Sequence, residues 1–95
     1  MNEELDRLFM ALSDPTRRSV VQLLREGPRR AGDLATLAQV SAPVMSRHLR
    51  VLLMAGVVDD ERSPTDARVR LFFLCHESIA TMQAWLEGRP LERMA

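Results

Sequence analysis

Two helical segments separated by only three residues constrain this chain more than any other feature. Ala31 to Ala38 reads as a short helix, with Leu34, Leu37 and Ala38 predicted to face inward. Ser41 is placed to cap a longer helix over about 42–55, with Pro43 near its start and Met45, Leu49, Leu52 and Leu53 as its apolar stripe. Only Gln39-Val40-Ser41 lies between them, which makes a tight turn. Gly56 follows, and a glycine just past the last periodic residue is the usual helix stop.

The rest of the chain is arranged around this unit. Leu5, Leu8, Phe9 and Leu12 fall at helical spacing, with acids in the first turn, so a helix is predicted over 3–12. Ser13-Asp14-Pro15 breaks it and starts another over 15–26, lined by Val20, Leu23 and Leu24 and ended by Gly27-Pro28. After Gly56 the period changes. Val57-Val58 open an extended segment, Ser63-Pro64-Thr65-Asp66 is turn-rich, and Arg68 to Leu74 reads as a returning strand, giving a hairpin over 57–74. A last helix over 77–88 presents Ile79, Met82, Trp85 and Leu86, and the tail from Gly88 is expected to be loose. The expected fold class is mainly α with a small β-hairpin: five helices and the hairpin, in one domain over 1–95, with a helix-turn-helix at 31–55.

Composition narrows the function classes. At 95 residues, with 46% hydrophobic and 27% charged residues, the chain is an ordinary globular domain. It has no apolar run long enough for a membrane span and no basic leader at its start, and it holds one cysteine, Cys75. These features lead to the expectation of a protein of the reducing cytoplasm, with no membrane partner. Net charge is zero but unevenly spread. Residues 1–15 carry four acids against Arg7, whereas 16–50 carry seven arginines against Glu26 and Asp33. A basic middle suits a molecule that offers one face to a polyanion. All 13 positive side chains are arginine, whose paired donors match phosphate and guanine edges, although GC-rich codon usage produces the same absence of lysine.

The outer side of the 42–55 helix carries the functional argument. With Met45 at the centre of the buried stripe, Pro43, Arg47, Arg50 and Met54 point away, and Ala42, Val44, Ser46 and Val51 lie on the flanks. Arg47 can bond guanine O6 and N7, Ser46 a base or phosphate, and Val44 or Ala42 a thymine methyl, while Arg50 is better placed for phosphate. His48 lies about 60° off the stripe, as a boundary histidine that could touch phosphate. A solvated helix face with two arginines is the competing explanation of the same residues.

Four segments carry a family resemblance: Ser13-Asp14-Pro15-Thr16-Arg17; Gly32-Asp33-Leu34-Ala35; Val40-Ser41-Ala42-Pro43-Val44-Met45-Ser46-Arg47-His48-Leu49-Arg50-Val51-Leu52; and Ala55-Gly56-Val57-Val58. Over roughly 8–75 the chain resembles the ArsR/SmtB family, bacterial winged helix-turn-helix repressors. The resemblance implies a homodimer on a palindromic operator in double-stranded DNA, released by an effector that the sequence does not name. It implies DNA-contacting positions at Ser41, Ala42, Val44, Ser46, Arg47, His48 and Arg50, and a wing whose Arg62, Arg68 and Arg70 lie along the backbone or minor groove. Ala42 stands where many relatives carry glutamine, which removes one base-reading side chain.

The best-known relatives sense metal through cysteines in the short helix, and Ala31 to Ala35 holds none. Others use carboxylates and histidines on the last helix, where His76, Glu77 and Glu87 are not matched by a second histidine. No metal site and no cofactor are therefore expected. Cys75 reads as a half-buried strand-end residue, with thiol sensing as the alternative. The two outer helices, through Leu5, Leu8, Phe9, Leu12, Ile79, Met82, Trp85 and Leu86, are expected to form the dimer interface, because so short a chain cannot bury both stripes alone. The competing function is a winged-helix module that binds protein without DNA specificity. No residue set supports an enzyme.

Overall fold

The computed structural model describes residues 2–89. Its elements run α1 (Glu3–Ala11), α2 (Pro15–Leu24), α3 (Ala31–Ala38), α4 (Ala42–Ala55), β1 (Val58–Arg62), β2 (Arg70–Leu74) and α5 (His76–Leu86). This is the winged helix-turn-helix arrangement: five helices and a two-stranded antiparallel hairpin. The expectation for the tail beyond residue 89 lies outside the described residues.

Three of the five helices, α1, α2 and α4, start at a capping side chain, whereas α3 and α5 start without one. Asn2 accepts from the Leu5 N–H at 3.2 Å. Asp14 accepts from Thr16 and Arg17 at 2.8 and 3.1 Å, with Pro15 in the first turn. Ser41 accepts from Val44 at 3.3 Å. α3 and α4 end alike. Val40 N–H bonds the Ala35 carbonyl and Gln39 N–H that of Thr36; Val57 bonds Leu52 and Gly56 bonds Leu53. Both are Schellman closures, which need one residue in the left-handed region. Gly56 sits there at φ 83°, and Gln39, the only non-glycine with positive φ among the described residues, at 59°.

The core lies under α4. Met45, Leu49 and Leu52 are buried against Leu8 and Ala11 of α1, Val20 and Leu24 of α2, Leu34 and Ala35 of α3, and Val57, Val58, Phe72 and Leu74 of the hairpin. Three expectations are corrected. Leu37 does not face inward but is 51% exposed. The inner arc of α3 is Ala31, Leu34, Ala35 and Ala38, and Leu37 points about 110° away from its centre. Small residues on that arc let α3 lie close to its neighbours. Leu5, Leu8 and Met82 are buried within the protomer, so they are not available to a second copy. Their stripes are wide enough to divide: α1 packs on α4 and α5, and α5 packs one edge on α1 and leaves the other outside. The returning strand begins at Arg70 rather than Arg68, because Val69 N–H turns back to the Asp66 carbonyl.

The hairpin register pairs Val58 with Leu74 and Arg62 with Arg70. β2 also has a partner on its other edge. Arg29 N–H donates to the Phe72 carbonyl at 3.0 Å and Phe72 N–H to that of Arg29 at 2.8 Å. The α2–α3 segment thus acts as a one-residue third strand.

The left-handed residues give the first prediction. A side chain costs about 1 kcal/mol or more in that conformation. Urea unfolding should show Gln39→Gly raising stability by about 1 kcal/mol, offset in part by a more flexible unfolded chain. Gly56→Ala should lower it by about 1 kcal/mol.

Candidate nucleic-acid interface

Because α4 buries one face completely, its other face is defined. Ser41, Ala42, Ser46, Arg47 and Arg50 are exposed, and Val44 and His48 are half-buried. Arg47 and Arg50 form no ion pair among the described residues. A charge left unpaired beside several acids elsewhere on the surface is available to an external anion.

The two edges of α4 differ. Ser46, Leu49, Arg50 and Leu53 face a cleft of about 610 Å³ whose other walls are Arg30, Ala31, Arg68, Val69, Arg70 and Phe72. Four arginines therefore line one open groove between α4 and the wing, together with apolar residues. Val44 and His48 lie on the opposite edge, toward α1 and α2. Arg47 projects between the two edges.

The wing arginines are not equivalent. Arg70 is ion-paired to Asp60 across the ladder, and its guanidinium lies 5.1 Å from the Phe72 ring centre. Arg68 is almost fully exposed and bonds Asp66 through Nε and Nη2, each at 3.2 Å. The Asp66 carboxyl is held below its usual range, first by the Arg68 side chain, then by the Arg68 N–H, with the Arg30 charge adding. Arg62 is exposed and pairs with no acid among the described residues. The wing thus offers Arg62 outright, while Arg68 and Arg70 arrive already paired.

Two residues matter that the sequence pattern did not single out. Arg30, at the start of α3, lines the cleft; its number in the basic block was visible, its place was not. Arg17 joins three helices. Its Nε donates to the Ala11 carbonyl at 2.6 Å, and its Nη1 lies 3.3 Å from His48 Nδ1. Asp14 stands beside this pair, with its Oδ2 3.8 Å from the same nitrogen. The Asp14 carboxyl titrates below its ordinary value, chiefly because the Arg17 N–H bonds the charged form, with His48 and the Thr16 N–H adding against partial desolvation.

Cys75 lies away from this face. It lines a separate cleft with Leu24, Pro28, Phe73 and His76. Burial first, then the charges of Asp59 and Glu77, push its thiol up, which disfavours the reactive thiolate. Among the described residues no group of three or more histidine, cysteine or acidic side chains is arranged to hold a metal ion. No helix there is long and apolar enough to cross a membrane.

On α1 and α5, Phe9 and Trp85 pack with ring centres 5.4 Å apart and planes tilted by 59°. Trp85 remains 56% exposed and Leu86 67% exposed.

A helix-turn-helix with a basic outer face, flanked by a hairpin, defines the class of winged-helix regulatory domains. Known proteins place it more closely. Residues 14–60 match the family described as bacterial regulatory protein, arsR family. The transcriptional repressor SdpR of Bacillus subtilis is 43% identical over 58 residues, covering 61% of this chain and 64% of that protein. The chain thus spans less than two thirds of that relative's length. The crystal structure of an ArsR family transcriptional regulator is similar at 31% identity and a TM-score of 0.77, over 90% of this chain and 86% of the other. A homodimeric winged helix-turn-helix DNA-binding domain from Mycobacterium bovis shares the fold, with a TM-score of 0.74 at 23% identity over 90% of this chain and 77% of that one. The chain belongs to the ArsR family.

The depressed Asp14 carboxyl gives a prediction about acid stability. A group whose pKa is lowered on folding stabilises the fold above its unfolded pKa, and that contribution disappears as pH falls through the folded value. Asp14→Ser keeps a capping oxygen but removes the charge. Thermal unfolding should find the variant less stable than the parent near neutrality. The gap should close as pH falls from about 5 to about 2, where the carboxyl is protonated in both states.

Proposed function

We propose that this chain is a homodimeric, sequence-specific DNA-binding repressor of the bacterial cytoplasm, with α4 in the major groove of a palindromic operator. The observation that carries the reading is the outer face of α4. Ser46, Arg47 and Arg50 are exposed together, the two arginines have no acidic partner among the described residues, and the adjoining cleft gathers Arg30, Arg68 and Arg70. A protein-interaction module has no need of this convergence. The repressor SdpR and the homodimeric M. bovis domain support the two parts of the proposal by likeness.

In this reading Arg47, outermost on α4, reads guanine, and Ala42 and Val44 offer methyl contacts. Arg30 and Arg50 hold the phosphates of the strand that runs through the cleft. Arg62 contacts backbone beyond the wing. Arg68 and Arg70 contribute less than their charge suggests, since each must first leave an aspartate.

Salt-titrated binding to an operator and to a scrambled duplex tests these roles. One bidentate arginine–guanine contact carries about 1–3 kcal/mol of discrimination. Arg47→Ala should lose roughly twice that on a symmetric operator, with little loss on scrambled DNA. Arg30→Ala and Arg50→Ala should weaken both duplexes and lower the slope of log affinity against log salt by about 0.9 for each phosphate no longer neutralised. An Arg47→Ala variant that weakens both duplexes equally and flattens the slope would make Arg47 a phosphate clamp.

The exposed edge of α5 is the proposed dimer surface, continuous with Phe9 of α1. A pair of copies joined there sets two α4 helices about 34 Å apart, one turn of DNA. Sedimentation should show a dimer at micromolar concentration that Trp85→Glu and Leu86→Glu convert to a folded monomer. Both positions lie outside the buried core, and within the protomer the ring contact of Trp85 with Phe9 is the packing that Trp85→Glu removes, so Leu86→Glu alone serves as the control. A dimer unaffected by the pair places the interface elsewhere.

A further inference from the structure

We propose that Arg17 fixes the tautomer of His48, and thereby makes the outer ring nitrogen of a recognition-helix histidine a neutral hydrogen-bond donor to a DNA phosphate. The inference rests on the DNA-binding reading above and assigns Arg17 a positioning role.

Arg17 has little freedom. Nε is committed to the Ala11 carbonyl at 2.6 Å, and Nη2 reaches toward that of Met10 at 3.5 Å. These bonds satisfy carbonyls at the end of α1 and hold Nη1 3.3 Å from His48 Nδ1. A guanidinium carries donors only and does not deprotonate. In this contact Nδ1 must therefore accept, and an accepting ring nitrogen bears no hydrogen. The proton of the neutral ring is on Nε2.

Asp14 is the other charged group facing Nδ1. Its Oδ2 lies at 3.8 Å, beyond hydrogen-bond reach, and already accepts from the Thr16 and Arg17 N–H groups. It does not compete for a proton on Nδ1. Nε2 has no hydrogen-bond partner among the described residues. No buried side-chain nitrogen or oxygen there lacks a partner, so Nε2 reaches the surface.

That surface is the edge of α4 opposite the arginine cleft. A half-buried side chain on the flank of a helix in the major groove meets the groove wall, where phosphates lie, rather than the base edges on its floor. The two edges of α4 would then grip opposite walls by different chemistry. Charged arginines on one side release counterions, whereas a neutral N–H on the other releases none. Removing the histidine's N–H should weaken binding without changing its salt dependence.

The first measurement needs no DNA. Nitrogen-15 correlation spectra of the imidazole ring, recorded at about pH 8 where an ordinary histidine is neutral, should show His48 protonated on Nε2. Arg17→Met, which keeps the stem and removes the donors, should shift the ring toward a mixture of tautomers. A parent ring carrying its proton on Nδ1 overturns the proposal, whether or not the variant folds.

The second measurement uses duplexes that the parent protein selects from a random library. His48→Gln can place an amide N–H near the position of Nε2 and should bind within a few-fold of the parent. His48→Asn reaches only to the position of Nδ1 and should bind at least roughly tenfold more weakly, with an unchanged salt slope. Asparagine binding as well as the parent, or a loss accompanied by a lower slope, overturns the proposal. A parent protein that selects no duplex defeats the DNA-binding reading itself, and the phosphate contact with it. That result is distinct from a parent that binds and a His48 variant that does not differ.

Discussion

The structure depends on one demand placed on α4. The helix must bury a stripe against every layer of a small domain and still present its other side to a partner. Met45, Leu49 and Leu52 meet side chains from α1, α2, α3 and the hairpin, so four separate elements fix the rotation of one helix. Truncating a fully buried leucine or methionine such as Leu52 or Met45 costs about 2–5 kcal/mol, a large part of the stability of a domain this size. The outer face is therefore exact in direction because the inner face is expensive to disturb. Ser46, Arg47 and Arg50 need no interactions of their own to be held in place.

Much of this was legible in the sequence, for identifiable reasons. The bounds of α4 could be read residue by residue because both of its ends carry local chemistry: Ser41 as a cap and Gly56 as a stop. The direction of Arg47 and Arg50 followed from helix geometry once Met45 was known to be buried. Leu37 was misplaced because periodicity favours large apolar residues, whereas α3 packs through alanines. The division of the α1 and α5 stripes into an inner edge and an outer edge was hidden as well. Pattern gives the width of an apolar face, not how much of it a neighbouring helix already covers.

The candidate site was harder to read where it depends on distance in the chain. Arg17 and His48 are 31 residues apart, and the second residue's nitrogen means little until the first is seen beside it. Arg30 reaches the cleft only because the segment before α3 is stitched to β2. The acids of the wing do more than lower its net charge: Asp60 and Asp66 each engage one arginine and leave Arg62 aside.

The stitch between Arg29 and Phe72 has a mechanical consequence. With hydrogen bonds on both edges, the middle of β2 is the stiffest part of the wing, while the loop of residues 63–69 beyond Arg62 and Arg70 is anchored only at its base. The wing is thus a short lever with a clamped root. Any displacement of the α2–α3 segment must carry that root along, turning the wing tip and Arg30 together relative to α4. A ligand acting on the far side of the domain could therefore widen or narrow the arginine cleft without touching a single residue that lines it.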